Sequence, residues 1–432
     1  MIRAELLESY FGLLALKMKL LIVIPALNEE DSIESIIERS LAARSHIFAN
    51  SPVTEVAITV VSDGSTDRTV ERAGQYRSSI RLLVFKQNRG YGAAIQTAWQ
   101  ESDADLLAFL DADGTCDPKF FANLCQALHE EQADLALGCR LNQSTKMPLI
   151  RQVGNLFFAA LLTAFSNRRV RDTASGMRVI KREVYQRLRP LPNGLHFTPA
   201  MSARALLGAG GGTKLIEIDM PYHEREGVSK LHVVKDGLRF LRIITETAFL
   251  YKPGRMLSQL AAVLLIVAVL IGLTMTGHSS PQRWSEWSFF PLIFGGAAFL
   301  FALLLFSAAS AMQQMADLTI GGETGSTPFS DWVHQTYTSR FFWIAPFLLA
   351  LSGVAAMSGG LPVNGGSGAS YPHLIREWAA SFLWLTAIVL VIGRVLAYFV
   401  DLLRKQMRYA RHADAAAEER APDLAGVMAA PK

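Results

Sequence analysis

Cysteine is scarce in this chain of 432 residues: Cys116, Cys125 and Cys139 are the three it holds, and no two form a Cys-x-x-Cys pair. That pattern excludes a disulfide framework and a thiolate zinc site, and the expectation is three reduced core residues in a cytosolic setting. Concentrated positive charge is missing too. A net charge of +4, with no Arg/Lys-rich block interleaved with aromatics, gives no electrostatic footprint for nucleic acid. No P-loop lysine follows the glycines of Asn88-Arg89-Gly90-Tyr91-Gly92, so that loop alone is a weak phosphate signal. The amino terminus lacks the marks of a signal peptide, because Glu5 and Glu8 interrupt its apolar residues and no small-residue cleavage site follows. A short amphipathic segment over 1–18 is the expectation, with Met18 competing with Met1 as the start of translation.

What is present is unevenly spread. Half of the residues are hydrophobic, 50%, which is ordinary as an average. The first half alternates polar and apolar stretches, whereas from about Met256 the chain becomes a series of long apolar runs. The pattern predicts two joined parts. In the first, Leu20 to Ile24 is a strand-length apolar run stopped by Pro25, followed by Ala26-Leu27-Asn28-Glu29-Glu30-Asp31 and a helical pattern from Ser32 to Leu41. A second unit repeats the plan: Val56 to Val61, a turn at Ser62-Asp63-Gly64-Ser65-Thr66-Asp67, then a helix over Val70 to Tyr76. Arg81 to Phe85 and a helix over Ala93 to Glu101 make a third. Strands alternating with helices predict a mainly parallel α/β sheet of nucleotide-binding type.

The stretch Asp105 to Asp113, Asp-Leu-Leu-Ala-Phe-Leu-Asp-Ala-Asp, organises this part. An apolar run of strand length carries two acids, spaced one residue apart, to the carboxyl end of a buried strand, where open α/β sheets place their chemistry. Carboxylates that close repel unless something positive sits between them. A hard divalent cation that takes diphosphate oxygens as its remaining ligands satisfies both. A solvated turn closing the strand is the plainer reading, and the motif alone does not separate the two.

The ordered set of motifs does. Pro25-Ala-Leu-Asn28-Glu29, Asp63-Gly-Ser-Thr-Asp67, Asn88-x-Gly90-x-Gly92 and Asp111-Ala-Asp113 together resemble the family 2 glycosyltransferases of GT-A fold. Gly138-Cys-Arg140 resembles the Gly-Ser-Arg segment of that family, and Ser175-Gly176-Met177-Arg178 its Ser-Gly-Phe-Arg turn. Arg225-x-Gly227-x-Ser229-Lys230-Leu231 is similar to the closing motif of the polyprenyl-phosphate hexose synthases, the dolichol-phosphate mannose synthase type. The resemblance implies that Pro25, Leu27, Glu29 and Asp63 line the nucleoside pocket and that Asp111 and Asp113 hold Mg²⁺ or Mn²⁺ against the diphosphate. Ser62 stands where many relatives have an aspartate, and Thr115 where the dolichol type has glutamine.

A leaving nucleoside diphosphate and an anionic acceptor both call for cations besides the metal. Arg140 is the candidate on the donor side, and Arg225 and Lys230 join Asp113 as the catalytic set. The expected reaction is inverting transfer of a hexose from UDP- or GDP-hexose to a polyprenyl phosphate at the cytoplasmic membrane face. Two alternatives stand beside it: a glycosyltransferase for another lipid or a polysaccharide, and a non-catalytic membrane scaffold or flippase partner with a nucleotide-binding fold. Gln282-Arg283-Trp284 lacks the Gln-x-x-Arg-Trp spacing of processive synthases.

Domain boundaries follow from these patterns: an amino-terminal segment 1–18, a GT-A domain 19–232, a juxtamembrane amphipathic helix 233–255, a four-helix transmembrane domain 256–402 and a disordered tail 403–432. Val153 to Phe165, flanked by Arg151, Arg168, Arg169 and Arg171, is too short to span and suits either the headgroup layer or the core. The spans are expected near Met256–Thr276, Phe289–Ala311, Phe341–Met357 and Ala379–Val400. Lys252 and Arg255 before the first, with Arg404, Lys405, Arg408 and Arg411 after the last, put the catalytic domain and carboxyl terminus on the cytoplasmic side. Trp284, Trp287 and Trp378 read as interfacial anchors, and Arg394 as a cation that snorkels toward the cytoplasmic face or, as the lesser alternative, contacts a lipid phosphate. A homo-oligomer is left open.

Overall fold

The computed structural model describes residues 18–142, 145–208, 213–223, 232–276, 289–320, 328–358 and 371–427. It divides into two compact units, the first ending at Phe249 and the second beginning at Leu250. In the first unit seven strands form one sheet: β1 (Met18–Ala26), β2 (Val53–Asp63), β3 (Arg81–Phe85), β4 (Leu106–Leu110), β5 (Leu135–Cys139), β6 (Met177–Lys181) and β7 (Leu215–Asp219). Their order is β3-β2-β1-β4-β6-β5-β7. Every pairing is parallel except those of β6, which runs antiparallel to β4 and to β5.

Helices cover both faces, so the central strands are apolar on both sides. Leu20, Ile22 and Ile24 of β1, with Leu106, Ala108 and Leu110 of β4, face one layer. That layer holds α1 (Ile33–Ala49), α2 (Thr69–Gly74) and, after a 3-10 turn at Pro118–Phe120, α4 (Phe121–Glu130). The alternate residues Leu21, Val23, Leu107 and Phe109 face the other layer, built from α3 (Tyr91–Gln100), α6 (Arg182–Leu188) and α7 (Phe197–Leu207). At the centre of that second layer Trp99 is fully buried, its ring 4.9 Å from Tyr185 and 5.9 Å from Phe197. Its indole N–H donates to the Ala108 carbonyl at 3.2 Å, which satisfies the one polar atom it brings into the core. β1 extends past the expected Ile24 to Ala26: the ladder to β4 has ended at Val23, and Pro25 pairs in register with Val61 of β2.

Two further helices of this unit carry apolar side chains outward. In α5 (Leu149–Ser166) the inner face buries Asn155, Ala159, Leu162 and Phe165, while Leu149, Val153, Leu156 and Phe157 are exposed. It is longer at both ends than the sequence pattern predicts, and its 18 residues reach the length and apolarity of a spanning helix. Asn155, buried and hydrogen-bonded to Asp172 at 2.7 Å, nevertheless ties it to the segment before β6. Helix α8 (Val233–Tyr251) buries Phe240, Ile244 and Ala248 and exposes Val234 and Leu238.

The second unit comprises α9 (Pro253–Thr276), α10 (Phe289–Ile320), α11 (Pro328–Thr338), α12 (Ile344–Ser358) and α13 (Tyr371–Val427). Within it α9, α10 and α13 are long and apolar enough to cross a membrane. Helix α12, at 15 residues, covers about 22 Å, short of a hydrocarbon core of about 30 Å. Small residues set the packing. A Cβ on Gly296 would lie 2.8 Å from Trp378, which stacks on Phe382 at 5.2 Å and so is a packing residue as well as a candidate anchor. Trp284 and Trp287 lie outside the described residues. The Arg394 guanidinium donates to the Tyr337 carbonyl and sits 6.0 Å from the Phe342 ring. A cation against the last turn of α11 opposes the partial negative charge of that helix end. The tail expected to be disordered from 403 instead continues α13 to Val427, because its Ala-, Glu- and Arg-rich composition favours helix.

Truncating Trp99 removes the largest buried side chain of the second layer. Trp99→Ala is expected to lower unfolding stability by about 3–5 kcal/mol, and Trp99→Phe by clearly less, as measured by denaturant titration of the purified protein.

Candidate active site

The chain runs outward from β1 to β3 and then returns across β1 to β4, so the carboxyl ends of β1 and β4 flank the point where the strand order reverses. Crevices at such switch points are where open α/β sheets bind ligands. A cavity of about 490 Å³ opens there. Pro25, Leu27 and Glu29 line it from the end of β1, Asp63 from the end of β2, Asp111 and Asp113 from the end of β4, and Arg140 from the end of β5. The seven described candidate residues are thus brought together. Arg225 and Lys230 lie outside the described residues.

The turns after β1 and β2 are laced to each other. Asn28, at φ 51, accepts from the Thr66 amide at 2.8 Å, and its own amide donates to the Ser65 hydroxyl at 3.1 Å. The Glu30 amide donates to Asp67 at 3.1 Å, and the Glu30 carboxylate accepts from the Arg68 amide at 3.0 Å. Ser62, buried, donates to Ser65 at 3.0 Å, so the hydroxyl at this position braces the turn.

Asp63 accepts from the Arg89 amide at 2.7 Å and the Gly90 amide at 2.9 Å. Burial raises its pKa above the ordinary carboxylate value, against the lowering effect of those amides. Its carboxylate therefore grips the 88–92 loop while its side chain borders the cavity.

The antiparallel strand β6 places its first residue, Met177, beside Leu110, and so delivers Gly176 to Asp111. A Cβ on Gly176 would lie 1.8 Å from Asp111 Oδ2. A side chain there would push the Asp111 carboxylate out of its present place. Asp111 Oδ1 accepts from the Tyr91 hydroxyl at 2.6 Å, and Asp113 Oδ1 from the Thr115 hydroxyl at 2.6 Å and the Thr115 amide at 3.2 Å. Thr115 thus supports Asp113. Arg39 of α1 donates to the carbonyls of Gly114 and Cys116 at 3.2 and 3.1 Å, which clamps the turn beyond Asp113. Cys116 is buried here with its thiol pushed up to about 12 by desolvation, so it carries no thiolate chemistry.

Arg140 is placed in the cavity wall but differently occupied from the expectation of a phosphate clamp. Its guanidinium makes two bonds to Asp172, at 2.7 and 2.8 Å, and its amide a third at 3.1 Å. Burial disfavours both charges, yet the pairing outweighs it: Asp172 is held below the ordinary carboxylate value and Arg140 above the ordinary guanidinium value. Asn155 of α5 donates to the same carboxylate. Arg178 is fully buried below this turn and donates to the carbonyls of Ser175 at 3.0 Å and Thr173 at 2.7 Å and to the Ser202 hydroxyl at 2.9 Å, fixing the segment that presents Gly176.

The same cavity is lined by Arg151 and Ile150 of α5, by Phe158, and by Val233, Arg239 and Phe240 of α8. Phe158 and Phe240 meet at 5.8 Å. One cavity therefore joins carboxylates, cations and an apolar wall supplied by the two helices with outward apolar faces.

The Glycosyl transferase family 2 profile matches residues 21–189. Over 320 residues the chain is 31% identical to the low-salt glycan biosynthesis hexosyltransferase Agl6 of Haloferax volcanii, covering 72% of this chain and 71% of that protein. The chain belongs to glycosyltransferase family 2. This glycosyltransferase is also 26% identical over 262 residues to the dodecaprenyl-phosphate galacturonate synthase of Rhizobium johnstonii, covering 59% of this chain and 75% of that one. It is 28% identical over 223 residues to the dolichyl-phosphate hexose transferase of Haloferax volcanii, covering 50% and 89%. Among solved structures it is similar to the glucosyl-3-phosphoglycerate synthase of Mycobacterium tuberculosis in complex with Mn²⁺, UDP and phosphoglyceric acid, at 20% identity and a TM-score of 0.41, over 54% of this chain and 78% of that one. The mainly parallel sheet of the glycosyltransferase is the GT-A arrangement.

Sequence reasoning missed Tyr91, Asp172 and Asn155. Asp172 stood three residues before Ser175, and an acid so near that turn was a usable signal. Asn155, a polar residue within the apolar run Val153 to Phe165, was another.

Asp172→Asn leaves the Arg140 charge buried without its anion, and is expected to cost about 3–5 kcal/mol at neutral pH. Because the folded carboxyl titrates below its ordinary value of 3.8, the contribution of the pair is fully present above that value and is lost as pH falls through the folded pKa. Acid unfolding of wild type and variant should converge at low pH. Gly176→Ala is expected to cut sugar transfer by about a hundredfold by displacing Asp111, with stability changed far less.

Proposed function

We propose that this glycosyltransferase moves a hexose from a nucleotide sugar, UDP- or GDP-linked, to a polyprenyl phosphate, with inversion and with a divalent cation, at the cytoplasmic face of a membrane. The observation that carries the reading is the composition of the one cavity: Asp111 and Asp113 share it with Arg151 and Arg239 and with the apolar side chains Ile150, Phe158, Val233 and Phe240. A donor with two phosphates and an acceptor with an anionic head and an apolar chain need that combination. Relatives named for dodecaprenyl-phosphate and dolichyl-phosphate acceptors support it.

Among the described residues no group of three or more His, Cys, Asp or Glu is arranged to hold a metal. Two hard carboxylates in one cavity wall fit Mg²⁺ or Mn²⁺ when donor phosphate oxygens and water complete the shell. Asp111 and Asp113 would hold the ion, which when bound stabilises the charge on the departing nucleoside diphosphate. The rest falls to the chain itself. A phosphate monoester, with its second pKa near 6, arrives largely as an anion at neutral pH and so needs positioning more than a base. Arg151 and Arg239 border the space where that head must enter, with Arg239 tethered to Asp236 at 3.0 Å. Arg225 and Lys230 join them on the strength of their motif. Pro25, Leu27, Glu29 and Asp63 take the nucleoside end, and Arg140, already balanced by Asp172, shapes the wall between. The exposed apolar residues of α5 and α8 suit a position in the headgroup layer, from which a lipid tail reaches the cavity.

Membranes carrying the protein are to be incubated with a panel of labelled UDP- and GDP-sugars and polyprenyl phosphate, with and without EDTA. The expected result is label in the lipid phase, abolished by chelation and reduced at least about a hundredfold in Asp113→Asn. Transfer that survives chelation removes the metal assignment. Label appearing in a polysaccharide or another lipid removes the acceptor, and a product that keeps the donor's anomeric configuration removes the inverting displacement.

A further inference from the structure

We infer that Tyr91 is a positioning residue that holds Asp111 in ligating geometry, and that Asp63 acts on Asp111 through it. The inference rests on the metal reading above and deepens it.

The 88–92 loop is gripped from two sides. On one, Asp63 accepts from the Arg89 and Gly90 amides at 2.7 and 2.9 Å. On the other the loop presses on the turn at Pro192 to Gly194: Cβ atoms on Gly90 and Gly92 would lie 2.4 Å from the Asn193 carbonyl oxygen and 2.2 Å from that of Pro192. The Ala93 amide donates to Asn193 at 3.1 Å. What demands glycine at both positions is protein backbone, and Gly90 at φ 106 adopts a conformation that side chains disfavour.

A loop held so tightly gives Tyr91 one direction. Its ring meets Phe109 of β4 edge-on, with centroids 6.2 Å apart at 87°, and its hydroxyl reaches Asp111 Oδ1 at 2.6 Å. A short bond from a neutral donor to a carboxylate is charge-assisted and directional. With Oδ1 fixed by Tyr91 and the Oδ2 side bounded by Gly176, the plane of the carboxylate is set from both edges. Partners that orient a ligating carboxylate control metal affinity without touching the metal. Asp63, at the nucleoside end of the cavity, is thereby joined to Asp111 through the 88–92 loop and the Tyr91 ring.

The test is Mn²⁺ affinity of the full-length protein in detergent, followed by the electron paramagnetic resonance signal of free Mn²⁺ with UDP or GDP at one fixed concentration in every sample, so that diphosphate oxygens complete the shell of the ion and all variants are compared alike. Tyr91→Phe keeps the ring against Phe109 and is expected to weaken Mn²⁺ binding about tenfold, with an unchanged thermal midpoint and kcat at saturating Mn²⁺ within about twofold of wild type. Asp63→Asn is expected to weaken Mn²⁺ binding as well, and to add little to Tyr91→Phe in the double variant. If Tyr91→Phe binds Mn²⁺ like wild type while Asp111→Asn does not bind it, the metal site stands and the role of Tyr91 falls. Fully additive effects overturn the link from Asp63. If wild type binds no Mn²⁺, or Asp111→Asn binds it unchanged, the metal reading fails and takes the inference with it.

Discussion

The approach of Asp111 to the Gly176 backbone is the constraint on which the site depends. It exists because β6 enters the sheet antiparallel beside β4, so that the amino end of one strand meets the carboxyl end of the other. A parallel neighbour would bring its own carboxyl end to this rim. The turn from Thr173 to Gly176 arrives instead, and it must lie against a carboxylate without a side chain of its own. Arg178 secures that turn from below through two carbonyls and a hydroxyl, and Asp172 secures it from the side by pairing with Arg140 at the end of β5. A buried guanidinium hydrogen-bonded to two carbonyls and a hydroxyl is costly. Its retention directly beneath the turn makes sense if the position of Gly176 matters more than the energy of the core.

Much of this was legible from local pattern. The apolar runs before Pro25, Asp63 and Asp111 mark buried parallel strands, and acids at the carboxyl ends of such strands converge because the strands do. Neighbouring order follows from the crossovers, which take β1 to β3 one way and return to β4 on the other side. The half of the sheet beyond β4 was not legible in this way. Its order, β4-β6-β5-β7, places residues 32 positions apart in hydrogen-bond contact. Nothing in the stretch around Arg140 announces that its cation is already balanced, and so it reads as an available phosphate ligand when taken alone.

The glycines of the 88–92 loop, a weak phosphate signal in the sequence, have a cause in the fold. In Asn88-Arg89-Gly90-Tyr91-Gly92 they draw the eye to a phosphate, yet the atoms that crowd them are backbone oxygens of Pro192 and Asn193, about a hundred residues on. Tyr91, the residue between them, is the one that reaches Asp111. The tail was misjudged for a different reason. Ala, Glu and Arg in a charged segment meet a compositional picture of disorder, but the same residues are strong helix formers, and a preceding helix such as α13 spares them the cost of nucleation.

The outward faces of α5 and α8 bring the two ends of the chemistry to one place. Exposing Leu149, Val153, Leu156 and Phe157 on one helix and Val234 and Leu238 on the other is unfavourable in water. An interfacial layer would remove that cost, since apolar side chains can enter an acyl boundary while neighbouring arginines stay at headgroup depth. Ile150, Phe158, Val233 and Phe240 of these helices line the cavity. Asn155 links the first of them to Asp172 and hence to Arg140. A shift of α5 would therefore be felt at the end of β5, because the helix that carries the outward apolar face also holds Asp172 against Arg140.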